Sequence, residues 1–187
     1  MKVTRVQAAA SRERILDAAA RLLRERGPDG VGVAEIMEGA GLTHGGFYGH
    51  FASKEDLMAQ ACRRALEASA EKWEAIAEAA GPRALAAIAH HYVSTRHRDN
   101  CANGCVVAAV GVEASRQDPG VRREVAAGIE AQIEILSRVV PGRAGPAKRR
   151  KVLASYAAMV GAVVLARAVD DPRISKDILD AVAQALE

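Results

Sequence analysis

Residues 41–56 read GLTHGGFYGHFASKED, a stretch in which the spacing of some residues favours a helix and the type of others disfavours one. Phe47 and Phe51 are four residues apart, the spacing of side chains on one helix face. Beside them lie three glycines, Gly45, Gly46 and Gly49. Each glycine inside a helix costs roughly 1 kcal/mol relative to alanine, so the three together cost about 2–3 kcal/mol. Three of the six aromatic residues of the chain (one Trp, three Tyr and two Phe) also fall here, so a requirement other than helix stability shaped this segment.

Composition places the chain among ordinary globular proteins. It has 187 residues, of which 50% are hydrophobic and 26% are charged, and this length is enough to bury a core. Aromatic residues make up only 3%, which favours helices that pack closely through small side chains. The formal net charge of +3 is mild, so charge alone does not indicate a nucleic-acid binder.

The N-terminal sequence MKVTRVQAAASRER lacks the apolar centre of a signal peptide. No uninterrupted apolar run approaches the roughly 20 residues of a membrane span. The three cysteines are too few for a disulfide scaffold. We therefore expect a soluble, cytoplasmic protein.

Helical periodicity and cap residues divide the chain into helices only. Ser11, Thr43 and Ser53 are the expected N-caps of three of them. The fold class predicted is all-α, with about nine helices near residues 11–26, 33–40, 43–51, 53–80, 83–97, 106–115, 118–140, 147–169 and 174–186. Residues 141–146, PGRAGP, form the clearest linker.

Residues 33–50 fit two helices joined by a tight turn at Gly41 and Leu42. Packing of Ile36 and Leu42 against the two phenylalanines would hold the second helix across the first. Four residues near the start of the second helix would then point outward: Thr43, His44, Gly45 and Tyr48. A DNA-binding helix-turn-helix places this end in the major groove. Glycines there would let the backbone approach the groove or the phosphates closely.

Residues 11–62 resemble the N-terminal domain of TetR-family transcriptional regulators. The matching positions are Arg14-Ile-Leu-Asp-Ala-Ala19, Gly27, Val33, Ile36, Ala40-Gly41-Leu42-Thr43, Gly46-Phe-Tyr48, His50-Phe51, Ser53-Lys54 and Leu57. The resemblance implies a homodimer that binds a palindromic operator in double-stranded DNA. It also implies that the regulator is usually a repressor, released by a small ligand.

The resemblance assigns roles to individual residues of the segment. Thr43, Tyr48, His50 and Lys54 match positions that hold phosphates. His44, Gly45 and Gly46 match positions that face base edges. Because only His44 among these three has a long side chain, we hypothesise that groove shape and an N-terminal arm with Lys2, Arg5 and Arg12 contribute to selectivity.

The resemblance also implies two domains, a DNA-binding domain over residues 1–52 and a helical effector-binding and dimerisation domain over residues 53–187. The last two helices are the expected dimer interface, because small residues on one allow close approach and the other offers an apolar stripe. The residues concerned are Ala154, Ala158, Gly161, Ala162, Val164, Ile178, Leu179, Val182 and Leu186.

Residues 100–105, NCANGC, are the most unusual stretch of the second domain. If helical, Cys101 and Cys105 would lie one turn apart, farther than a disulfide favours. A helix N-terminus favours the thiolate, and Cys105 fits that position best. Thiol sensing by Cys105, or by Cys101, is one hypothesis, and buried, inert thiols are the default.

An apolar effector cavity among the middle helices is the more ordinary expectation. Its candidate lining residues are Trp73, His91, Tyr92, Met159 and Val163, each of which is also a reasonable core residue. The sequence does not indicate the chemistry of the effector, the operator, or whether the regulator represses or activates. We expect no catalytic residue, no metal ion and no cofactor.

Other interpretations stay open at this point. A metal site can be drawn from Cys101, Cys105, His90, His91 and His97, although the cysteine spacing is not a standard zinc pattern. The chain is alternatively a thiol-dependent enzyme that uses Cys105 with His90 or His91, or a helical interaction protein that has lost DNA binding. The basic run KRRK at 148–151 is read as a solvated face rather than a second DNA contact.

Overall fold

The computed structural model describes residues 4–187. This part of the chain is helical without strands, which confirms the all-α prediction. It contains nine α-helices, one of them only five residues long, and three short 3-10 segments. The helices are α1 Arg5–Arg26, α2 Val33–Gly39, α3 Lys54–Ala80, α4 Ala84–Tyr92, α5 Thr95–Asp99, α6 Val106–Ala114, α7 Pro119–Val139, α8 Pro146–Ala168 and α9 Pro172–Ala185. The 3-10 segments are His44–Gly49, Gly81–Arg83 and Cys101–Asn103.

Helix α1 begins earlier than the sequence indicated. Its N-cap is Thr4, not Ser11. The Thr4 hydroxyl accepts from the Gln7 N–H at 3.2 Å, and the Gln7 side chain accepts from the Thr4 N–H at 2.9 Å. This capping box satisfies two free amides of the first turn. The predicted N-cap lies seven residues too late because the first turns of α1 are mostly exposed and carry no apolar pattern.

The segment His44–Gly49 is a 3-10 helix rather than the α-helix expected. The Gly46 N–H donates to the Thr43 carbonyl at 3.1 Å, and the His50 N–H donates to the Phe47 carbonyl at 2.9 Å. Thr43 occupies the N-cap position, yet its side chain makes no capping hydrogen bond. Three glycines in six residues weaken the α-helix enough for this tighter, less stable form to replace it.

Helix α3 joins the two halves of the chain. Ser53 caps it as predicted, since its hydroxyl accepts from the Asp56 N–H at 3.1 Å. The Asp56 carboxylate accepts instead from the Ala52 N–H, one residue before the cap. Helix α3 packs along α7 and also contacts α1 and α4. The buried residues of both halves therefore form one continuous cluster, which contains Ile15, Phe47, Leu66, Trp73, Leu136 and Met159.

The helix predicted to reach residue 97 is interrupted. α4 ends at Tyr92, and Ser94 caps the short α5 by accepting from the His97 N–H at 3.2 Å. The Ser94 hydroxyl also donates to the His91 carbonyl at 2.9 Å. One serine thus ends one helix and starts the next, a use that apolar periodicity does not reveal.

Helix α8 is long and apolar enough, by length and composition, to cross a membrane, and it is the one such helix among residues 4–187. In the structure it packs against α6, α7 and α9. Val152, Met159 and Val163 on this helix are buried. A core helix of a soluble protein has the same properties, so α8 does not indicate a membrane protein.

Candidate nucleic-acid interface and internal pocket

The helix-turn-helix is built around a small apolar contact. Helix α2 ends at a turn in which Gly41 has a φ of +69°, a conformation that favours glycine. Ile36 and Phe47 are at most 1% exposed, and Phe51 is 2% exposed. The Phe47 and Phe51 rings stack with centroids 5.9 Å apart. The two phenylalanines therefore fix the 3-10 segment against α2.

The outer face of this unit is polar and open. Thr43, His44, Gly45 and Gly46 are exposed, and the Tyr48 side chain is 75% exposed. The Tyr48 ring meets Phe47 edge-on at 5.1 Å. His50 and Lys54 are partly buried at the end of the same segment, and Lys54 is the first residue of α3. The residues assigned to DNA by resemblance thus lie in one short stretch, most of them exposed. We call residues 43–54 the recognition segment.

Neither steric contacts nor backbone angles require glycine at the three glycine positions of the recognition segment. A Cβ atom on Gly45 or Gly49 would meet nothing within 4 Å, and one on Gly46 would meet the Met37 Cε at an ordinary 3.6 Å. None of the three has a positive φ. An alanine would therefore fit at each of the three positions, and no contact within residues 4–187 requires glycine there.

The expected N-terminal arm is largely part of α1. Arg5 is the first residue of that helix and is exposed. Arg12 is already engaged, because its guanidinium donates to Gln60 on α3 and lies 5.0 Å from the centre of the Phe51 ring. Lys2 lies outside the described residues. A role for Arg5 and Arg12 in DNA binding stays a prediction.

A cavity of about 310 Å³ opens between α1, α3, α4, α5 and the segment before α6. Four residues proposed from the sequence line it: Trp73, His91, Tyr92 and Cys105. Met159 and Val163 do not, because both are completely buried in the core. Cys101 is partly buried and also lies outside the wall of this cavity. We call this cavity the pocket.

His97 organises the pocket, a role that the sequence did not indicate. Its Nδ1 lies 2.6 Å from the Tyr92 carbonyl, and its Nε2 accepts from the Cys105 N–H at 2.8 Å. These two partners require a neutral ring with the proton on Nδ1. Burial, opposed by the Tyr92 carbonyl and aided by the charge of Arg167, lowers the pKa of His97 to about 4. The ring therefore holds Cys105 in place at neutral pH.

Two arginines fasten the wall of the pocket to the rest of the molecule. The Arg24 Nε on α1 donates to the Ala102 carbonyl at 2.6 Å. Arg167 on α8 donates to the carbonyls of His97 and Arg98, at 2.8 and 3.0 Å. The first of these bonds connects the helix-turn-helix half directly to residues 101–105. No local pattern marks either arginine, since their partners lie 69 to 78 residues away.

The three thiols have different surroundings. Cys62 is fully buried, and burial raises the pKa of its thiol to about 12, which makes it inert. Cys105 is 4% exposed at the N-cap of α6. Cys101 is partly buried, 3.8 Å from the Arg98 carbonyl. The structure brings Cys105 and His91 to the same pocket, whereas His90 is exposed and contacts Glu187.

The metal site that the sequence allowed is not assembled. Among residues 4–187, no three side chains of the types His, Cys, Asp and Glu are placed to share a metal ion.

The last two helices present an uncovered apolar face. Leu153, Val164 and Leu165 on α8 are 40, 38 and 54% exposed, and Ile174 on α9 is 51% exposed. Val6 and Val112, 79 and 69% exposed, lie on other helices, so large exposed apolar side chains are most numerous on α8 and α9 without being confined to them. Leu179 and Leu186, which the sequence also placed on this face, are buried within the chain.

Comparison with known families agrees with the geometry of the first half. A family model described as bacterial regulatory proteins of the tetR family matches residues 15–61. The HTH-type transcriptional regulator AcrR of Shigella flexneri is 39% identical over 57 residues, which cover 30% of this chain. These residues span about a quarter of that relative, 26% of its length. The resemblance found at residues 11–62 is confirmed over this region.

Solved structures resemble the whole chain. A TetR transcriptional regulator from Chloroflexus aurantiacus is 26% identical with a TM-score of 0.79, covering 96% of this chain and 95% of its own. The reduced form of E. coli NemR is 20% identical with a TM-score of 0.81, covering 95% of both chains. A TetR-family regulator from Cytophaga hutchinsonii has a TM-score of 0.82 at 17% identity, covering 100% of this chain and 96% of its own. At such identities the last two likenesses concern the fold.

Proposed function

We propose that this chain, whose N-terminal helix-turn-helix belongs to the TetR family of regulators, is a sequence-specific DNA-binding transcriptional regulator. The recognition segment carries the proposal. It exposes Tyr48, His44 and the backbone of three glycines on one face, and nothing inside the chain requires those glycines.

Each residue of the recognition segment has a proposed role. Thr43, Tyr48, His50 and Lys54 hold phosphates, and His44, Gly45 and Gly46 face base edges. Exposure of Thr43, His44 and Tyr48 supports this assignment, because a residue must reach the surface to touch DNA. Residues 1–52 are the proposed DNA-binding domain, and residues 53–187 hold the effector and the dimer contact.

The working form is proposed to be a homodimer on a palindromic operator. The uncovered face of α8 and α9 supports a symmetric contact between two copies. The two recognition segments would then enter successive major grooves, about 34–36 Å apart. A change in that separation would weaken binding, which is how an effector releases a repressor.

Release by a small molecule or by thiol modification is proposed to start at the pocket. The Arg24–Ala102 hydrogen bond supports this, because it links the pocket wall to the C-terminal end of α1, a helix of the proposed DNA-binding domain. Any effector that binds the two arrangements unequally changes DNA affinity, and DNA changes effector affinity by the same factor. Cys105 is the proposed thiol, with Cys101 second.

The enzyme alternative has less support. His90 lies away from the pocket, and the imidazole bonded at Cys105 is that of His97, which holds the backbone N–H and not the thiol. Turnover that Cys105→Ser abolishes, in a chain without specific DNA binding, would favour the enzyme instead.

Selection from random duplex DNA tests the function. We expect enrichment of a palindrome, bound by two copies of the chain, with an affinity that falls steeply as salt rises because phosphates are neutralised. The Tyr48→Ala variant should bind the selected DNA more weakly. Because Tyr48 is exposed, its removal should leave the packing of the core unchanged. Absence of any enriched site, with equal weak binding to all duplexes, would contradict the proposal.

A further inference from the structure

Residues 97–105 run from the end of α5 to the residue before α6, and we call them the strap. Several of them form part of the pocket wall. Of the residues of the strap only Cys105 is buried. The strap therefore has little apolar packing of its own, and its position depends on the hydrogen bonds that neighbouring helices make to it.

Two arginines make these hydrogen bonds from opposite halves of the chain. Arg167 on α8 donates to the carbonyls of His97 and Arg98, at 2.8 and 3.0 Å. Arg24, in the last turn of α1, donates to the Ala102 carbonyl at 2.6 Å. Hydrogen bonds from a charged donor are roughly twice as strong as those between neutral groups. The strap is thus held by α8 and by α1 at the same time.

Gly104 lies where the strap approaches Arg167. A Cβ atom on this glycine would lie 3.0 Å from the Arg167 Nη2 and 3.0 Å from two atoms of the His97 ring, so the neighbours would have to move. Its φ of −82° is one that other residues adopt. Close approach of the strap to Arg167, and not the backbone angle, therefore explains glycine at this position.

Arg24 is held in this contact at a cost. The side chain is half-buried, and burial lowers the pKa of Arg24, while the nearby Glu25 and Asp17 carboxylates are among the groups that oppose the shift. Both carboxylates form their salt bridges elsewhere, with Arg21 and Arg64. The hydrogen bond that fixes the Arg24 guanidinium is therefore the one to the strap.

We infer that Arg167 is a positioning residue for DNA binding, because through the strap it fixes α1 relative to α8. This inference rests on the regulator proposed above. Helix α1 packs against α2 and α3 in the proposed DNA-binding half, whereas α8 carries part of the uncovered apolar face. The strap therefore joins the helix of the proposed dimer contact to the helix-turn-helix. A ligand in the pocket would act on the same link, since it would touch the strap.

The link is tested first without DNA, by hydrogen exchange of the backbone amides of the full chain. Arg167→Gln should speed exchange of residues 22–27 at the end of α1 about tenfold, the change expected from loss of one charged hydrogen bond. Residues 128–135 in the middle of α7 should keep their protection, which distinguishes a local link from general destabilisation. Arg150→Gln removes the same charge from an exposed position of α8 and should change neither region.

The second test is affinity for the selected palindrome. Arg24→Gln and Arg167→Gln should each weaken binding roughly 2- to 30-fold, since either change releases the strap on one side. The double variant should bind no more weakly than the weaker single variant, because both arginines act through one segment. The salt dependence should stay that of wild type, because neither arginine neutralises a phosphate. Arg150→Gln should bind as tightly as wild type.

Gly104→Ala tests the same contact with every charge kept. The added methyl group pushes the strap away from Arg167, so this variant should weaken DNA binding about as much as Arg167→Gln. It gives a second measurement if Arg167→Gln folds poorly.

Three results would overturn the inference: unchanged exchange at the end of α1 in Arg167→Gln, effects of the two arginines on DNA affinity that multiply, or a salt dependence that falls by about one unit per protomer in Arg167→Gln. Faster exchange at the end of α1 without any selected DNA site would keep the link between the helices and remove the regulator. A selected site that all variants bind equally would keep the regulator and remove the inference.

Discussion

The recognition segment and the pocket differ in whether their polar side chains are exposed or hydrogen-bonded within the chain. The side chains of Tyr48 and His44 are exposed and make no hydrogen bond within residues 4–187, whereas His97 in the pocket uses both ring nitrogens internally. The recognition segment is therefore an exposed surface whose polar groups we propose to be contacted by DNA. The pocket contains a hydrogen-bonded network, and among the buried side-chain oxygens and nitrogens of residues 4–187 only the Tyr92 hydroxyl in its wall has no hydrogen-bond partner.

The glycines of the recognition segment also differ from Gly128, which lies in the contact between α3 and α7. Gly45 and Gly49 border open space, but a Cβ on Gly128 of α7 would lie 2.5 to 2.7 Å from the Leu66 side chain of α3. Gly128 is therefore needed by the fold itself, since it allows α3 and α7 to touch. No contact within residues 4–187 requires the glycines of the recognition segment, and we propose that they serve a partner outside the chain.

The largest expected effect is a loss of folding stability at acid pH that depends on His97. Its folded pKa of about 4 lies below the ordinary 6.5, so the unfolded chain takes up the proton first. Stability from the neutral ring is full above pH 6.5 and is lost as pH falls toward 4, by roughly 3 kcal/mol. Unfolding of wild type and of His97→Gln by denaturant at several pH values checks this.

We expect wild type to lose more stability than His97→Gln between pH 6.5 and 4. His44→Gln, in the exposed recognition segment, is the matched control and should follow the wild-type slope. If His97→Gln and wild type have the same slope, the neutral ring does not hold the pocket, and the contrast between the two regions fails.

The next effect is steric. Gly128→Ala places a methyl group against the Leu66 side chain, whose Cβ no change of rotamer moves away. Overpacking of this kind costs about 1–3 kcal/mol, and alanine regains roughly 1 kcal/mol of helix propensity. We expect a net loss of up to about 2 kcal/mol, seen as a lower melting temperature at fixed protein concentration.

A double variant separates the clash from other causes. In a Leu66→Gly background, which removes the Cβ as well as the rest of the side chain, the added methyl group has room, so Gly128→Ala should then stabilise or be neutral. An equal loss in both backgrounds would show that contact between α3 and α7 is not the reason for glycine at 128.

A third effect appears in DNA binding and not in the fold. Lys54→Gln removes a proposed phosphate contact, so affinity for the selected site should fall and the salt dependence should decrease by about one unit per protomer. Lys151→Gln, an exposed charge on α8, is the control and should change neither. An unchanged salt slope in Lys54→Gln would remove Lys54 from the interface.

The sequence predicted the turn, the Ser53 cap and the aromatic packing around the recognition segment because those signals are local, but it did not predict the 3-10 form of residues 44–49. The turn at Gly41, the Ser53 cap and the packing of Phe47 with Phe51 all follow from residues close together in the chain. The start of α1 at Arg5 and the break at Ser94 were missed, since both depend on side-chain caps outside the apolar pattern.

The pocket could be predicted only in part. Trp73, Tyr92 and Cys105 line it, but Met159 and Val163 are core residues of the same type, and apolar character does not separate a wall from a core. Arg24 and its partner Ala102 lie 78 residues apart. Contacts of that range depend on how helices pack, which spacing along the chain does not encode.

The affinity of a Gly45→Ala/Gly49→Ala variant for the selected palindrome, measured beside its melting temperature, tests the account most directly. Both positions have room for a methyl group and no positive φ, so each change should stabilise the fold by about 0.4–1 kcal/mol. We predict a more stable protein that binds the palindrome more weakly than wild type. A variant that is more stable and binds DNA as tightly as wild type would contradict the claim that these glycines serve an external partner.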